Sequence, residues 1–199
     1  MYLEKKYNYN DALNHLRLYR LFIKNKYPVV GPEGRRYFDY HDGDVYTKGA
    51  WILHTLRNNI NNDPVFFQII KTFYEENKLK ITDTKAFIEV VNRITGKDYG
   101  WFFNQYLYQN KVPAFEYQIA DDGSLYYRWI NVSEGFNKLA VPIYLKVGFK
   151  EIYPDVKVQK LENYSSESIY IDNDKALFGT NQNNKLKKLF LNQNDVSNN

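Results

Sequence analysis

Apolar side chains recur every three or four residues through the first part of the chain, a period typical of amphipathic helices. Residues that begin or end helices flank these stretches. Asp63 followed by Pro64 predicts one start, Thr82 to Thr84 predict another, Gly96 ends that helix and Asp98 can cap the next. The pattern predicts a helical bundle with four apolar stripes: Ala12, Leu16, Tyr19 and Ile23; Phe66, Ile69, Ile70 and Phe73; Phe87, Val90, Val91 and Ile94; Tyr99, Phe102, Phe103 and Tyr106.

The period changes to two residues from Pro113 onward. Phe115, Tyr117 and Ile119 alternate with polar neighbours, and Asp122-Gly123 predicts a turn into a second alternating strand. Further strands are predicted at 140–149, 155–161 and 168–171. Short strands at this spacing favour a small antiparallel β-sandwich.

An α+β fold with three segments follows from these patterns. Residues 1–112 are predicted to form the helical bundle, and residues 113–180 the β-sandwich. Residues 181–199 are rich in Asn and Lys, so we expect a frayed tail, although Leu186 to Leu191 could add an edge strand.

Composition narrows the possible functions. The 199 residues are 44% hydrophobic, enough for a substantial core. The net charge of +4 comes from Lys and Arg scattered among 23 acidic residues, so no nucleic-acid surface is expected. The chain has no cysteine, which excludes disulfides and thiolate metal sites, and no apolar run approaches the roughly 20 residues of a membrane span. The sequence assigns no cellular location.

Candidate catalytic and metal-binding side chains are few. His15, His41 and His54 are the three histidines, and none lies in the His-x-x-x-His spacing that presents two imidazoles to one metal. We therefore expect no metal site in this chain. His54 is predicted to lie on a helix as a packed or a surface histidine, and His41 is predicted to lie in a turn. The aromatic content of 18% fits a core built from large rings, with sugar binding by the β-sandwich as an alternative.

Tyr46 is the candidate catalytic residue, at the start of the helix predicted after Asp44. A phenol keeps its proton at neutral pH and can donate a hydrogen bond to a developing oxyanion. Gly49 and Ala50 follow one turn later, where small side chains would let the helix approach another backbone closely. The start of an ordinary helix with two small residues at a crossing is the alternative.

The chain resembles, block by block, the aminopeptidase N family of zinc metallopeptidases, the gluzincins. Val45 to Arg57 contains Tyr-x-Lys-Gly-Ala and resembles the family's catalytic-tyrosine helix. Asp63 to Tyr74 resembles the next helix, and Thr82 to Phe87 resembles the start of another, here without the family's acid before the phenylalanine. Gly96 to Tyr108 resembles the Gly-Lys-Asp, Trp-Phe-Phe and Gln-Trp-Leu block, and Val112-Pro113 resembles the exit into the β-sandwich.

The resemblance implies a zinc-polarised water that attacks a peptide substrate, with Tyr46 stabilising the tetrahedral intermediate. The family's His-Glu-x-x-His, its downstream glutamate ligand and its Gly-x-Met-Glu-Asn motif do not occur in this sequence. Met1 to Tyr7 resembles the end of the helix that carries the third ligand, and Glu4 is not assigned that role. We therefore expect the C-terminal part of a metallopeptidase, inactive without its N-terminal catalytic segment and zinc. A non-catalytic protein- or peptide-binding or structural module is the alternative.

Overall fold

Helices precede strands in the computed structural model, which describes residues 2–31, 43–145, 148–162 and 169–196. Within these ranges the protein is α+β, with seven helices and seven strands. The chain folds as two units, Met1–Asn110 and Lys111–Asn199.

The first unit is helical. Its core contains the side chains of Trp51, Leu56, Ile69, Val91 and Phe102, all of them buried. The helices are α1 (Tyr2–Lys6), α2 (Tyr9–Arg20), α3 (Asp44–Ile60), α4 (Asp63–Asn77), α5 (Thr84–Thr95) and α6 (Gly100–Tyr108). The apolar stripe predicted from Tyr99 to Tyr106 is buried, as expected. The stripe predicted from Ala12 to Ile23 is only half-buried, and the buried residue of α2 is Leu13.

Two of the predicted helix starts differ from the structure in detail. The side chain of Asn62, and not of Asp63, caps α4 by accepting from the Val65 N–H at 3.1 Å. The start of α5 is as predicted, with Asp83 accepting from the Ala86 N–H. Asp98 accepts from the Gly100 N–H at 2.8 Å, although it lies one residue before the N-cap position of α6.

The second unit contains two sheets. In the first, the predicted hairpin is confirmed, with Phe115 opposite Trp129 across its two strands. A further strand pairs with the first strand of this hairpin in parallel, so this sheet is mixed, whereas the other strand pairs of both sheets are antiparallel as predicted. The strand orders are β5-β2-β1-β7 and β4-β3-β6, where β1 is Ala114–Ile119, β2 Leu125–Ile130, β3 Val141–Leu145, β4 Gly148–Ile152, β5 Gln159–Leu161, β6 Tyr170–Ile171 and β7 Gly179–Gln182.

The single strand predicted at 140–149 is wrong. The chain reverses there, and β3 and β4 pair antiparallel with Leu145 opposite Gly148. Alternation of apolar and polar residues continues across a tight reversal, so the period alone cannot locate it. The strands predicted at 155–161 and 168–171 exist but are shorter, at three and two residues.

The edge strand predicted at Leu186 to Leu191 is wrong as well. A helix, α7 (Leu186–Val196), stands there, and the strand β7 occupies the beginning of the segment that we expected to fray. Leu186 is buried with Tyr126 and Val158, and Phe190, four residues later, packs against the same cluster. Spacing of four residues puts both side chains on one face of a helix, whereas a strand would spread them along its length.

Candidate functional site

Tyr46 lies in the first turn of α3, with 63% of its surface exposed. Gly43 is the N-cap of this helix and has a left-handed φ of 75°, which glycine adopts without steric cost. The Gly43 carbonyl accepts from the N–H groups of Tyr46 at 3.0 Å and Thr47 at 3.2 Å. The structure therefore places the candidate tyrosine on the outside of a regular helical turn.

An open groove of about 710 Å³ runs beside Tyr46 within the helical unit. Side chains from α3, α4, α5 and α6 form its walls, and most of them are apolar. It is lined by Val29, Val30, Val45, Tyr46, Gly49, Ala50, Ile52, Leu53, Phe73, Thr82, Asp83, Thr84, Phe87, Phe103 and Leu107. Tyr46 is the lining residue that carries a phenol, a side chain that can donate a hydrogen bond.

The small residues after Tyr46 do not have the role that the sequence suggested. A Cβ atom built on Gly49 would meet no other atom within 4 Å in the described structure. We expected another backbone to approach the helix closely at this glycine. Within the residues that the structure describes, this prediction is wrong. Gly49 and Ala50 instead belong to the walls of the groove.

Replacing Gly49 with alanine should raise the free energy of unfolding by about 0.5–1 kcal/mol, because alanine lowers the entropy of the unfolded chain and favours the helix. Gly43→Ala is the matched control. Its Cβ would also meet open space, but its φ of 75° disfavours alanine, so this variant should lose stability. Thermal unfolding followed by circular dichroism measures both. A destabilised Gly49→Ala would contradict the assignment of open space at this position.

A second groove, of about 470 Å³, lies on the α1 and α2 side of α3. Ala50 and Leu53 line both grooves, so α3, the helix that carries Tyr46, separates the two grooves. The rim of the second groove carries polar side chains, among them those of Glu4, His15 and Arg57.

Arg57 joins three helices at this rim. Its guanidinium binds both oxygens of Glu4 in α1, at 2.7 and 2.9 Å, and both oxygens of Asp63 in α4, at 2.6 and 2.8 Å. These hydrogen bonds lower the pKa of the Glu4 and Asp63 carboxyls and raise the pKa of Arg57. Glu4 is thus the ion-pair partner of an arginine.

Arg57→Gln should lower stability at neutral pH by about 1–2 kcal/mol, since two ion pairs of partly exposed groups are lost. A carboxyl whose pKa is lower in the folded protein than in the unfolded chain stabilises the fold at pH values above its unfolded pKa, which is near 4. This stabilisation disappears as the pH falls through the pKa of the folded state. The difference between the two proteins should therefore shrink in acid.

Urea unfolding followed by circular dichroism, at several pH values between 7 and 3, measures this difference. Arg93→Gln, which removes the exposed pair with Glu76, is the control and should change stability much less than Arg57→Gln does. A difference between wild type and Arg57→Gln that stays constant with pH would contradict the role of these ion pairs.

Among the described residues, the histidines belong to no metal-binding cluster. His54 is 8% exposed, packs edge-on against Trp51, and its Nε2 lies 3.1 Å from the Asn58 side-chain nitrogen. Of the two predicted placements, packed or on the surface, it therefore has the packed one. His15 packs against the ring of Tyr19, and His41 lies outside the described residues. Across the described ranges, no three His, Cys, Asp or Glu side chains are placed to hold a metal ion. These residues do not fit zinc.

Two buried charges near Tyr46 were not found from the sequence. Asp44 is 2% exposed and Lys48 is completely buried. The available signal was their spacing of four residues, which puts them on one helix face, but an acid and a lysine at this spacing are usually exposed.

Comparison with solved structures identifies a similar fold. The crystal structure of Legionella pneumophila aminopeptidase A in complex with aspartic acid matches 86% of this chain with a TM-score of 0.58 and 18% sequence identity. The chain corresponds to 22% of the length of that protein. No protein-family profile and no curated protein sequence matches the chain. Identity this low shows a shared fold and leaves the chemistry to be argued from the site.

None of the described helices is long and apolar enough to cross a membrane.

Proposed function

We propose that this chain is the C-terminal part of a zinc-dependent aminopeptidase of the aminopeptidase N type, and that Tyr46 stabilises the tetrahedral intermediate of peptide hydrolysis. The exposed phenol of Tyr46, held in the first turn of α3 at the edge of a groove, is the observation that carries the proposal. The fold shared with an aminopeptidase supports it.

Tyr46 has the properties that this role requires. It stands on a helix and not on a loop, so its Cα position is fixed by backbone hydrogen bonds. Its hydroxyl is neutral at physiological pH and donates one hydrogen bond, so it can stabilise an oxyanion without repelling a metal ion nearby. A bound peptide that displaced water from the apolar walls of the groove would strengthen such a hydrogen bond.

The zinc ligands are proposed to lie on a segment outside this chain. The described residues hold no suitable cluster, and Glu4 is already bound by Arg57. The grooves on both sides of α3 are the surfaces that such a segment and a peptide substrate would share. The chain by itself is accordingly expected to hydrolyse no peptide.

The coding sequence directly upstream of Met1 gives the first test. A reading frame that encodes His-Glu-x-x-His there supports the proposal, whereas a frame without this motif favours a non-catalytic binding or structural module.

Production of the chain with and without that segment gives the second test. We expect one zinc per molecule by elemental analysis, and hydrolysis of aminoacyl-coumarin substrates, only when the segment is present. Stoichiometric zinc in the chain alone would contradict the proposed division of the site. A zinc-loaded assembly that hydrolyses none of a panel of such substrates and short peptides would contradict the proposed activity.

A further inference from the structure

One face of the first turn of α3 is charged and buried, although this turn carries the exposed Tyr46. Asp44 and Lys48 lie four residues apart and therefore share a face. Tyr46 lies two residues from each of them, which is more than half a turn around the helix. The tyrosine thus projects away from the face that the two charges occupy.

Asp44 ties this turn to the segment that follows α2. Its two carboxylate oxygens accept from the backbone N–H groups of Lys24, at 2.8 Å, and Asn25, at 2.7 Å. Charged acceptors form the stronger kind of hydrogen bond to backbone N–H groups. Both oxygens are engaged at once, which fixes the direction of the carboxylate as well as its distance.

Lys48 ties the same turn to the end of α6. Its Nζ donates to the backbone carbonyls of Gln109, at 3.2 Å, and Asn110, at 3.3 Å. The C-terminal end of a helix carries partial negative charge, and its last carbonyls lack partners within the helix. An ammonium at this place satisfies them and is in turn stabilised by them.

These two ties are costly to build and specific in their geometry. Burying a charged group is unfavourable unless it is paired and hydrogen-bonded, and an apolar side chain would fill the same space without that cost. Gly43, the N-cap of α3, has no side chain that could fix the helix start. The lateral hydrogen bonds of Asp44 and Lys48 join this turn to the segment after α2 and to the end of α6.

We propose that Asp44 and Lys48 are positioning residues, which hold the first turn of α3 from its buried side and thereby direct Tyr46 into the groove. For its chemical consequence this inference rests on the proposed function of Tyr46. The lysine and glycine after the tyrosine then have separate roles: Lys48 anchors the turn, and Gly49 lines the groove.

Amide hydrogen exchange of the chain itself tests the anchoring. Lys48→Met removes the ammonium but keeps the length of the side chain, and the double variant Asp44→Asn, Lys48→Met removes both buried charges at once, so neither substitution leaves a buried charge behind at the other position. We expect residues 44–50 to exchange at least about 10-fold faster in both variants, with α5 unchanged as the internal reference. Lys71→Met, at an exposed position of α4, is the matched control and should exchange like wild type.

Two results of the exchange experiment would overturn the proposal. One is wild-type exchange at 44–50 in the double variant. The other is a uniform increase across α3 and α5, which would show a contribution to general stability and no local anchoring.

Kinetics of the zinc-bearing assembly test the link to Tyr46. The double variant should lower kcat by about 10-fold with KM within about twofold of wild type, and should have no further effect when Tyr46 is already phenylalanine. An equal loss in the Tyr46→Phe background would overturn an action through the tyrosine. If Tyr46→Phe alone leaves kcat unchanged, the proposed function fails, and the exchange experiment still decides whether the two residues anchor the turn.

Discussion

Replacing Tyr46 with phenylalanine should lower the turnover number of the proposed zinc-bearing assembly by about 10²–10³-fold, the usual cost of losing one oxyanion donor. The substitution removes a single hydroxyl and keeps the ring, which is 63% exposed. Because the lost hydrogen bond forms mainly in the transition state, KM should change much less than kcat. Steady-state hydrolysis of an aminoacyl-coumarin substrate measures both constants.

Tyr74→Phe is the matched control for this experiment. Tyr74 lies on α4 and is 64% exposed, nearly the same as Tyr46, but it does not line either groove. Its replacement should leave turnover within about twofold of wild type, as expected of a surface position away from the site. Unchanged turnover in Tyr46→Phe would refute the catalytic assignment, and equal losses in both variants would point to a general effect of removing surface hydroxyls.

Replacing Glu116 with methionine should lower the free energy of unfolding of the second unit by about 3 kcal/mol, the range found when one partner of a buried ion pair is removed. Glu116 is 4% exposed and lies on β1, between β2 and β7. One of its oxygens accepts from Arg128 Nε at 2.7 Å, and the other accepts from the side-chain amides of Asn181 at 2.9 Å and Asn183 at 3.0 Å.

The size of this effect comes from the donors that would lose their acceptor. Methionine fills the space of Glu116 but accepts no hydrogen bond of comparable strength, so a guanidinium and two amides would have to find other partners. The parallel strand β7 should be affected most, because Asn181 belongs to it and Asn183 follows it directly. We therefore expect β7 amides to lose protection before those of β2.

Native-state hydrogen exchange at increasing urea concentration measures this effect, because it reports on the strands of the second unit separately from the helices. Glu162→Met serves as control: Glu162 forms an exposed ion pair with Lys160, and its loss should cost less than about 0.5 kcal/mol. A similar small cost for Glu116→Met would show that the buried carboxylate contributes little to the sheet.

Local sequence signals predicted the helical unit well. The Asp83 cap and the Gly96 end of α5 depend on hydrogen bonds within a few residues, and both are confirmed. The start of α4 was placed one residue late because Asn62 and Asp63 are both good caps. The choice between them was settled outside the helix, since Asp63 is the partner of Arg57.

Prediction was weaker where two structures share one pattern. The short apolar run from Leu186 fits a strand or a helix, and packing of Leu186 and Phe190 against Tyr126 and Val158 decided for the helix α7. The parallel pairing of β7 with β1 joins Gly179 to Ala114, and no local period encodes a pairing at that separation.

For the candidate site, the sequence by itself determined the position of Tyr46 at the start of a helix and the scarcity of metal ligands, because both depend only on neighbouring residues and on composition. The tertiary structure alone decided which distant groups meet: Lys48 with Gln109, 61 residues later, and Arg57 with Glu4, 53 residues earlier. The physical reason is one of distance along the chain. Helical period and capping arise from hydrogen bonds between residues a few positions apart, which a local sequence pattern can reveal. A buried charge is stable only when the packing of whole helices brings a hydrogen-bonding partner within reach.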